Sequence, residues 1–218
     1  MAAVYLQPDQ TYQVSKIVCV GCNYIEHITE MKTQKSTEPI LFLKPPSSII
    51  HEDEKIHLPS YSNEIHHEIE LALLVGKKAK CIEKKDWKLY IAGAGIALDL
   101  TLRDMQRIAR EKGNPWSVAK GFDNACPIST FIPASRISNI QNLDLSLKVN
   151  DQIKQDGNTR DMIFPVDQLI SYISKIFTLE PGDIILTGTP AGVGKVSKGD
   201  HLLATISEIG AVEFRVAE

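Results

Sequence analysis

The sequence lacks the features that mark several large classes of protein. Its four cysteines, at 19, 22, 81 and 126, are too few and too irregular for a disulfide framework. Cys19 and Cys22 form a C-x-x-C, but no second pair supplies the rest of a structural zinc site. Cys19 lies inside the apolar run KIVCVG rather than at the start of a helix, which reads as a small core residue and not as a redox thiol. Lys and Arg number 24 against 27 Asp and Glu, so there is no basic surplus for nucleic acid and no acidic tail. No apolar run approaches the roughly 18 residues of a membrane span. The opening MAAVYLQPDQTYQVSK has neither signal-peptide order nor Arg-rich transit character, so the expected address is the cytoplasm. Repeats and low-complexity tracts are missing. The loop GTPAGVGK, 188 to 195, has Thr189 where a Walker A needs its first glycine and Val196 where it needs Ser or Thr. There is no G-x-S-x-G elbow.

What remains is an ordinary globular composition, 43% hydrophobic and 23% charged, over 218 residues. That is long enough to bury a sizeable core. Residues 1–15 read as a polar, irregular lead-in, and 16–218 as a single domain. Apolar runs predict strands at 16–20, 40–43, 68–75, 95–100, 183–187, 201–206 and 211–216. A further strand alternates through Leu143, Leu145, Leu147 and Val149 into an Asn150-Asp151 hairpin turn. Helices are predicted over 24–32, 83–90 and 101–112, the last with Thr101 and Asp104 in capping-box spacing and Gly113 as its stop. Another opens at Pro165 and carries Leu169, Ile170, Ile173 and Phe177 at helical spacing. Strands outnumber helices and do not alternate with them, so the expected class is a β-rich α+β fold.

Chemistry concentrates at His67-Glu68-Ile69-Glu70-Leu71. Two glutamates two apart on an otherwise apolar strand point the same way. Holding two like charges on a half-buried face is costly without a cation, and a hard divalent ion suits carboxylate oxygens. Asp99 is a third carboxylate, at the end of another apolar run. The alternative is a solvated strand face with Asp99 as a strand end, and strand pattern alone leaves both open. His27 and Glu30, at i, i+3 on a predicted helix, are neighbours on one face. They are either a carboxylate-oriented general base or an exposed helix pair.

Six motifs in order, IVCVGCNYIEHITEM, EPILFLKP, HHEIELALLVG, GIALDLTLRDMQ, PWSVAKGFDNACP and GDIILTGTPAGVG, make the chain resemble the fumarylacetoacetate hydrolase (FAH) family. It is most similar to the short, single-domain acylpyruvate hydrolase and oxaloacetate tautomerase/decarboxylase group. The resemblance implies an FAH-like mixed β-sandwich roll, a homodimer, and Mg²⁺ or Mn²⁺ held by Glu68, Glu70 and Asp99. It further implies His27 and Glu30 as a dyad on a lid that orders with substrate, and Lys120 and Gln106 as contacts to the reacting oxygens. Thr189 and Lys44 would line the substrate site, and Arg103 would bind there or support the metal carboxylates. Many relatives carry arginine where this chain has Cys22, so that arginine's substrate role does not carry over.

The activity so implied is a metal-dependent reaction of small 2-oxo (β-dicarbonyl) acids through a metal-bound enolate. Acylpyruvate or fumarylpyruvate C–C hydrolysis is the leading expectation. Oxaloacetate tautomerisation or decarboxylation, or isomerisation of 2-hydroxyhepta-2,4-diene-1,7-dioate, are alternatives at the same site. A metal- or small-molecule-binding module without catalysis, and a thiol redox protein using Cys19 and Cys22, are the readings from other classes.

Overall fold

The computed structural model describes residues 2–30 and 36–218. Two mixed sheets dominate the fold. The larger has six strands in the order Ile132–Pro133, Ile91–Leu98, Ile69–Val75, Ile184–Leu186, Ile17–Gly21 and Ile40–Lys44. The second has five, in the order Gln152–Asn158, Asp144–Val149, His201–Ile206, Gly210–Val216 and Lys55–Ile56. A small third sheet joins Thr101–Leu102, Ile65–His67 and Gly194–Lys195. This is the β-rich α+β class expected from the sequence.

The strand Ile69–Val75 shows why the two sheets close on each other. It is buried on both faces. Ile69, Leu71, Leu73 and Val75 join the main core, which also takes Leu145, Leu147, Leu202 and Ala204 from the five-stranded sheet. Ala72 and Leu74 face a second cluster with Ile17, Cys19, Cys126 and Phe131. Full burial of each such Leu or Ile contributes about 1.5–3 kcal/mol. Period-2 alternation thus sorts one strand between two cores, and the face of Ala72 and Leu74 leads back to Glu70 and Glu68.

The amino-terminal residues depart from expectation. They form an antiparallel hairpin, Ala3–Leu6 with Gln10–Gln13, and Val4, Leu6 and Val14 are buried in the second cluster. The capping box does not form. Thr101 and Leu102 pair with His66 and Ile65, the Thr101 hydroxyl donates to the Asp99 carbonyl, and the Asp104 carboxylate accepts from Ser62 and Asn63. The helix therefore begins at Arg103 and runs to Lys112, closed by Gly113 in the left-handed region at φ 67°. The segment expected as a helix over 83–90 is a 3₁₀ helix, Lys84–Leu89. The helix expected over 24–32 is Ile25–Glu30, and Met31 and Lys32 lie outside the described residues. The Pro165 helix is Val166–Ile176, and Asn150 and Asp151 both take positive φ, 50° and 65°, as a tight hairpin turn requires.

Candidate active site

Strand register brings the three carboxylates together. Ile69 lies opposite Leu98 and Glu70 opposite Ala97, which places Glu68 across from Asp99. The Asp99 N–H donates to the Glu68 carbonyl at 2.8 Å. Directly opposed residues share a face, as do residues two apart, so Glu68, Glu70 and Asp99 converge. All three are buried, and one oxygen of each lies within 4.8 Å of the others.

Cations surround this cluster. Lys120, at the end of the short helix Ser117–Lys120, donates to Glu68 Oε2 at 2.8 Å and to Asp99 Oδ2 at 2.5 Å. Arg103 is hydrogen-bonded to Glu68 Oε1 and donates to Gln106 Oε1 at 2.6 Å. Its Nε points at His66 Nδ1, 3.4 Å away, which must then accept. Burial and the Arg103 charge lower the His66 pKa, in keeping with a neutral ring. Burial alone would raise the Glu68 carboxyl, but Lys120 and Arg103 outweigh it and hold Glu68 well below the carboxylate range. Burial opposes the Lys120 charge, yet Asp99 and Glu68 raise its pKa above the ordinary value. Glu70 goes the other way: burial, then Asp99 and Glu68, push its pKa well above the usual 4.5.

The donor set fits a hard divalent cation. Three buried carboxylates share one small volume, and Asp99 Oδ1 has no hydrogen-bond partner among the described residues. Lys44 Nζ lies 2.7 Å from that oxygen, but its hydrogen bonds go to the carbonyls of Leu100 and Lys120. The ion pair therefore neutralises charge and leaves a lone pair of Asp99 open. The raised Glu70 pKa has a measurable consequence. A carboxyl with a raised folded pKa makes the metal-free protein less stable as pH climbs from the ordinary glutamate range toward that folded value. Binding a divalent ion displaces the Glu70 proton, so affinity should rise with pH through this window, with up to about one proton released per ion. Titration calorimetry in two buffers of different ionisation heat measures it, and zero proton release would show Glu70 already ionised.

The carboxylates form one wall of a cavity of about 200 Å³. Its lining also includes Cys22, His27, Arg103, Gln106, Lys120 and Thr189. Lys44 stands behind this wall, and Glu30 lines the adjoining opening. Glu30 Oε2 is 3.3 Å from His27 Nδ1, and both Glu30 oxygens lie 3.2 Å from the Gly192 N–H, which ties the helix Ile25–Glu30 to the loop carrying Thr189. Lys44 lies beneath Asp99. A larger cavity of about 710 Å³ lies elsewhere, between Trp87, Ile137 and Pro165, and has no cluster of ionisable groups. The smaller one is well below the roughly 300–1,000 Å³ of drug-sized pockets and suits an acid of a few carbons.

Sequence reasoning missed several residues. Phe42 and Trp116 make the apolar side of the cavity, their rings 5.7 Å apart, and Lys120 Nζ sits 4.9 Å from the Phe42 ring centre. Gln155, fully buried, reaches in from the five-stranded sheet. Its Oε1 accepts from the Ile69 N–H at 3.0 Å, and its Nε2 donates to Thr189 Oγ1 at 2.8 Å and to the Pro190 carbonyl at 2.9 Å. That pattern fixes the amide orientation, so His67 Nδ1, 3.0 Å from Gln155 Oε1, carries the proton. Thr189 Oγ1 in turn donates to the Ile69 carbonyl at 2.7 Å, so its one proton is committed. Cys19 and Cys126 are buried and are not exposed nucleophiles: burial pushes Cys126 up to about 12 and Cys19 well above its ordinary value.

A family model described as fumarylacetoacetate (FAA) hydrolase C-terminal matches residues 16–217. The chain belongs to that family. It is 50% identical over 193 residues to the mitochondrial oxaloacetate decarboxylase of Dictyostelium discoideum, covering 88% of each chain. It is 48% identical over 195 residues to the oxaloacetate tautomerase YcgM of Escherichia coli (strain K12), covering 89% of each. Its fold is similar to the crystal structure of fumarylpyruvate hydrolase from Pseudomonas aeruginosa in complex with Mn²⁺ and pyruvate, with TM-score 0.94 and 35% identity, covering 100% of this chain and 97% of that one. The family relationship and the β-rich fold expected from the six motifs are therefore established. No helix among the described residues is long and apolar enough to cross a membrane.

Proposed function

We propose that the protein is a divalent-metal-dependent enzyme that generates enolates from small 2-oxo acids. The carrying observation is the convergence of Glu68, Glu70 and Asp99 on the wall of a cavity of about 200 Å³. Relatives named oxaloacetate tautomerase and decarboxylase, and a similar structure holding Mn²⁺ and pyruvate, support the same reading. Glu68, Glu70 and Asp99 would hold Mg²⁺ or Mn²⁺, which supplies Lewis-acid polarisation of the 2-oxo acid end.

The chain's own groups do the rest. Lys120, fixed between Glu68 and Asp99, places a permanent charge beside the oxygen on which enolate charge develops. Phe42 and Trp116 give that side of the cavity an apolar lining. Arg103 donates to Glu68 and to Gln106 Oε1, which holds both in register and leaves the Gln106 amide N–H₂ available to the reacting oxygens. His27, steadied by Glu30, is the proton acceptor. Taking a proton from C3 of oxaloacetate and returning it to oxygen gives the enol.

The dyad supports a second reading, C–C hydrolysis of an acylpyruvate. His27 takes a proton from water, the resulting hydroxide adds to the distal carbonyl, and the C–C bond breaks. The electron pair leaves as pyruvate enolate, which is then protonated at carbon. The same proposal has the enzyme acting as a homodimer in the cytoplasm.

A panel of oxaloacetate, acetylpyruvate and fumarylpyruvate, each with and without Mg²⁺, tests this. Metal-dependent turnover of at least one is expected, and turnover of none contradicts the proposal. Cys22 already occupies the left-handed region at φ 57°, so an arginine there adds no new backbone penalty. Cys22→Arg should raise kcat/KM for oxaloacetate or fumarylpyruvate relative to acetylpyruvate by about 1–2 kcal/mol of transition-state binding. An unchanged ratio in a folded, metal-bound variant would mean that position 22 does not contact substrate.

A further inference from the structure

The helix Arg103–Lys112 turns one stripe toward the cavity: Arg103, Gln106 and Arg110, spaced by three and four. Arg103 is committed to Glu68 and Gln106, while Gln106 accepts from Arg103 through Oε1 and offers only a neutral amide N–H₂ as donor. Arg110 is placed differently. It lines both the 200 Å³ cavity and the adjoining, wider opening of about 600 Å³ that carries Glu30, Glu64 and Arg107. Arg107 is spent on Glu64 at 2.7 Å, whereas Arg110 has no carboxylate partner among the described residues. Residues 31–35, MKTQK, contain no carboxylate either.

The polar balance of the cavity singles out this guanidinium. Lys120 is held by Glu68 and Asp99, and Lys44 by Asp99 and two carbonyls. The Thr189 hydroxyl is committed at both its donor and an acceptor site, and Cys22 offers only a weak S–H donor. A second anionic group at the mouth would therefore meet one free, strong, forked donor. Arg110 lies about 10 Å along the helix axis from Arg103. Helical side chains lean toward the N-terminus, so that of Arg110 leans toward Gln106 and the carboxylate cluster.

We propose that Arg110 determines substrate specificity by binding the far carboxylate of a 2-oxo dicarboxylic acid whose 2-oxo acid end lies at Glu68, Glu70 and Asp99. This rests on the oxo-acid reading above. The planar guanidinium matches a carboxylate through two parallel hydrogen bonds, which a lysine cannot reproduce. It gives the enzyme a dicarboxylate preference although position 22 is not arginine.

Two stable acids that differ in one carboxylate test the assignment without turnover. 2-Oxoglutarate and 2-oxopentanoate share the 2-oxo acid end, with a methyl group replacing the second carboxylate in the latter. Both are titrated calorimetrically into Mg²⁺-loaded wild type, Arg110→Gln, Arg110→Lys and Arg107→Gln. Arg110→Gln should weaken 2-oxoglutarate about tenfold and move 2-oxopentanoate by less than about twofold. Arg110→Lys should fall between, and Arg107→Gln should match wild type. Equal changes for both acids, no change for either, or an Arg107→Gln effect as large as that of Arg110→Gln would overturn the assignment. Wild type that binds neither acid would overturn the oxo-acid reading itself, and the assignment with it.

Discussion

Lys120→Met is expected to lose stability in the metal-free protein, and to lose activity with little loss of stability once Mg²⁺ is saturating. Lys120 is almost fully buried and bridges Glu68 and Asp99. Removing one partner of a buried ionic cluster leaves uncompensated charge, typically about 3–5 kcal/mol. Glu68 keeps Arg103 and Asp99 keeps Lys44, so the low end, about 3 kcal/mol, is expected here. A divalent ion on the same carboxylates replaces the lost positive charge and should recover most of that stability. It would not replace the ammonium proposed to stand beside the reacting oxygen, and loss of one such preorganised donor costs about 10²–10³ in kcat. Denaturant melts and steady-state rates, each with and without Mg²⁺, separate the two effects. Full activity in the folded, metal-loaded variant would remove Lys120 from the chemistry.

His27→Ala tests the base that both reactions share. The imidazole lies in the cavity wall but outside the carboxylate cluster, so metal affinity should not change. Acylpyruvate hydrolysis should fall by about 10²–10⁴, the usual contribution of a positioned general base. Oxaloacetate enolisation, in which the same imidazole takes the C3 proton, should fall as well. Glu30→Gln should follow in the same direction with a smaller loss, because Glu30 acts through His27 and through the Gly192 N–H. Wild-type hydrolysis rates in His27→Ala would mean that some other group activates water.

The sequence made part of the site legible for a simple reason. Strand period fixes that Glu68 and Glu70 share a face whatever the tertiary structure, so a paired-carboxylate site is visible in H-E-I-E-L. That Asp99 joins them depends on the pairing of Ile69 with Leu98, which no local pattern encodes. It was accessible only through resemblance to a family. Gln155 lies in QIKQDGN, a polar stretch with no alternation, and its complete burial is a property of the packed sheets alone. Arg110 could have been found by following Arg103 and Gln106 around the helix to i+7. The amino-terminal hairpin escaped because QTYQ offers no apolar face, and its partner strand carries the buried residues. The capping-box spacing misled because Thr101 and Leu102 are held in strand pairing with His66 and Ile65, and that pairing overrides the local preference.

The central claim is that Glu68, Glu70 and Asp99 hold a divalent ion on which the activity depends. The most direct measurement is a melt of exhaustively chelated wild type and Glu70→Gln across a Mg²⁺ titration, with turnover followed in the same samples. At free metal about 100 times its dissociation constant, wild type should gain about 2.7 kcal/mol of stability and recover its activity. Glu70→Gln, with a neutral amide as a weaker ligand, should show little of either. Wild type that melts and turns over identically with and without metal would contradict the account.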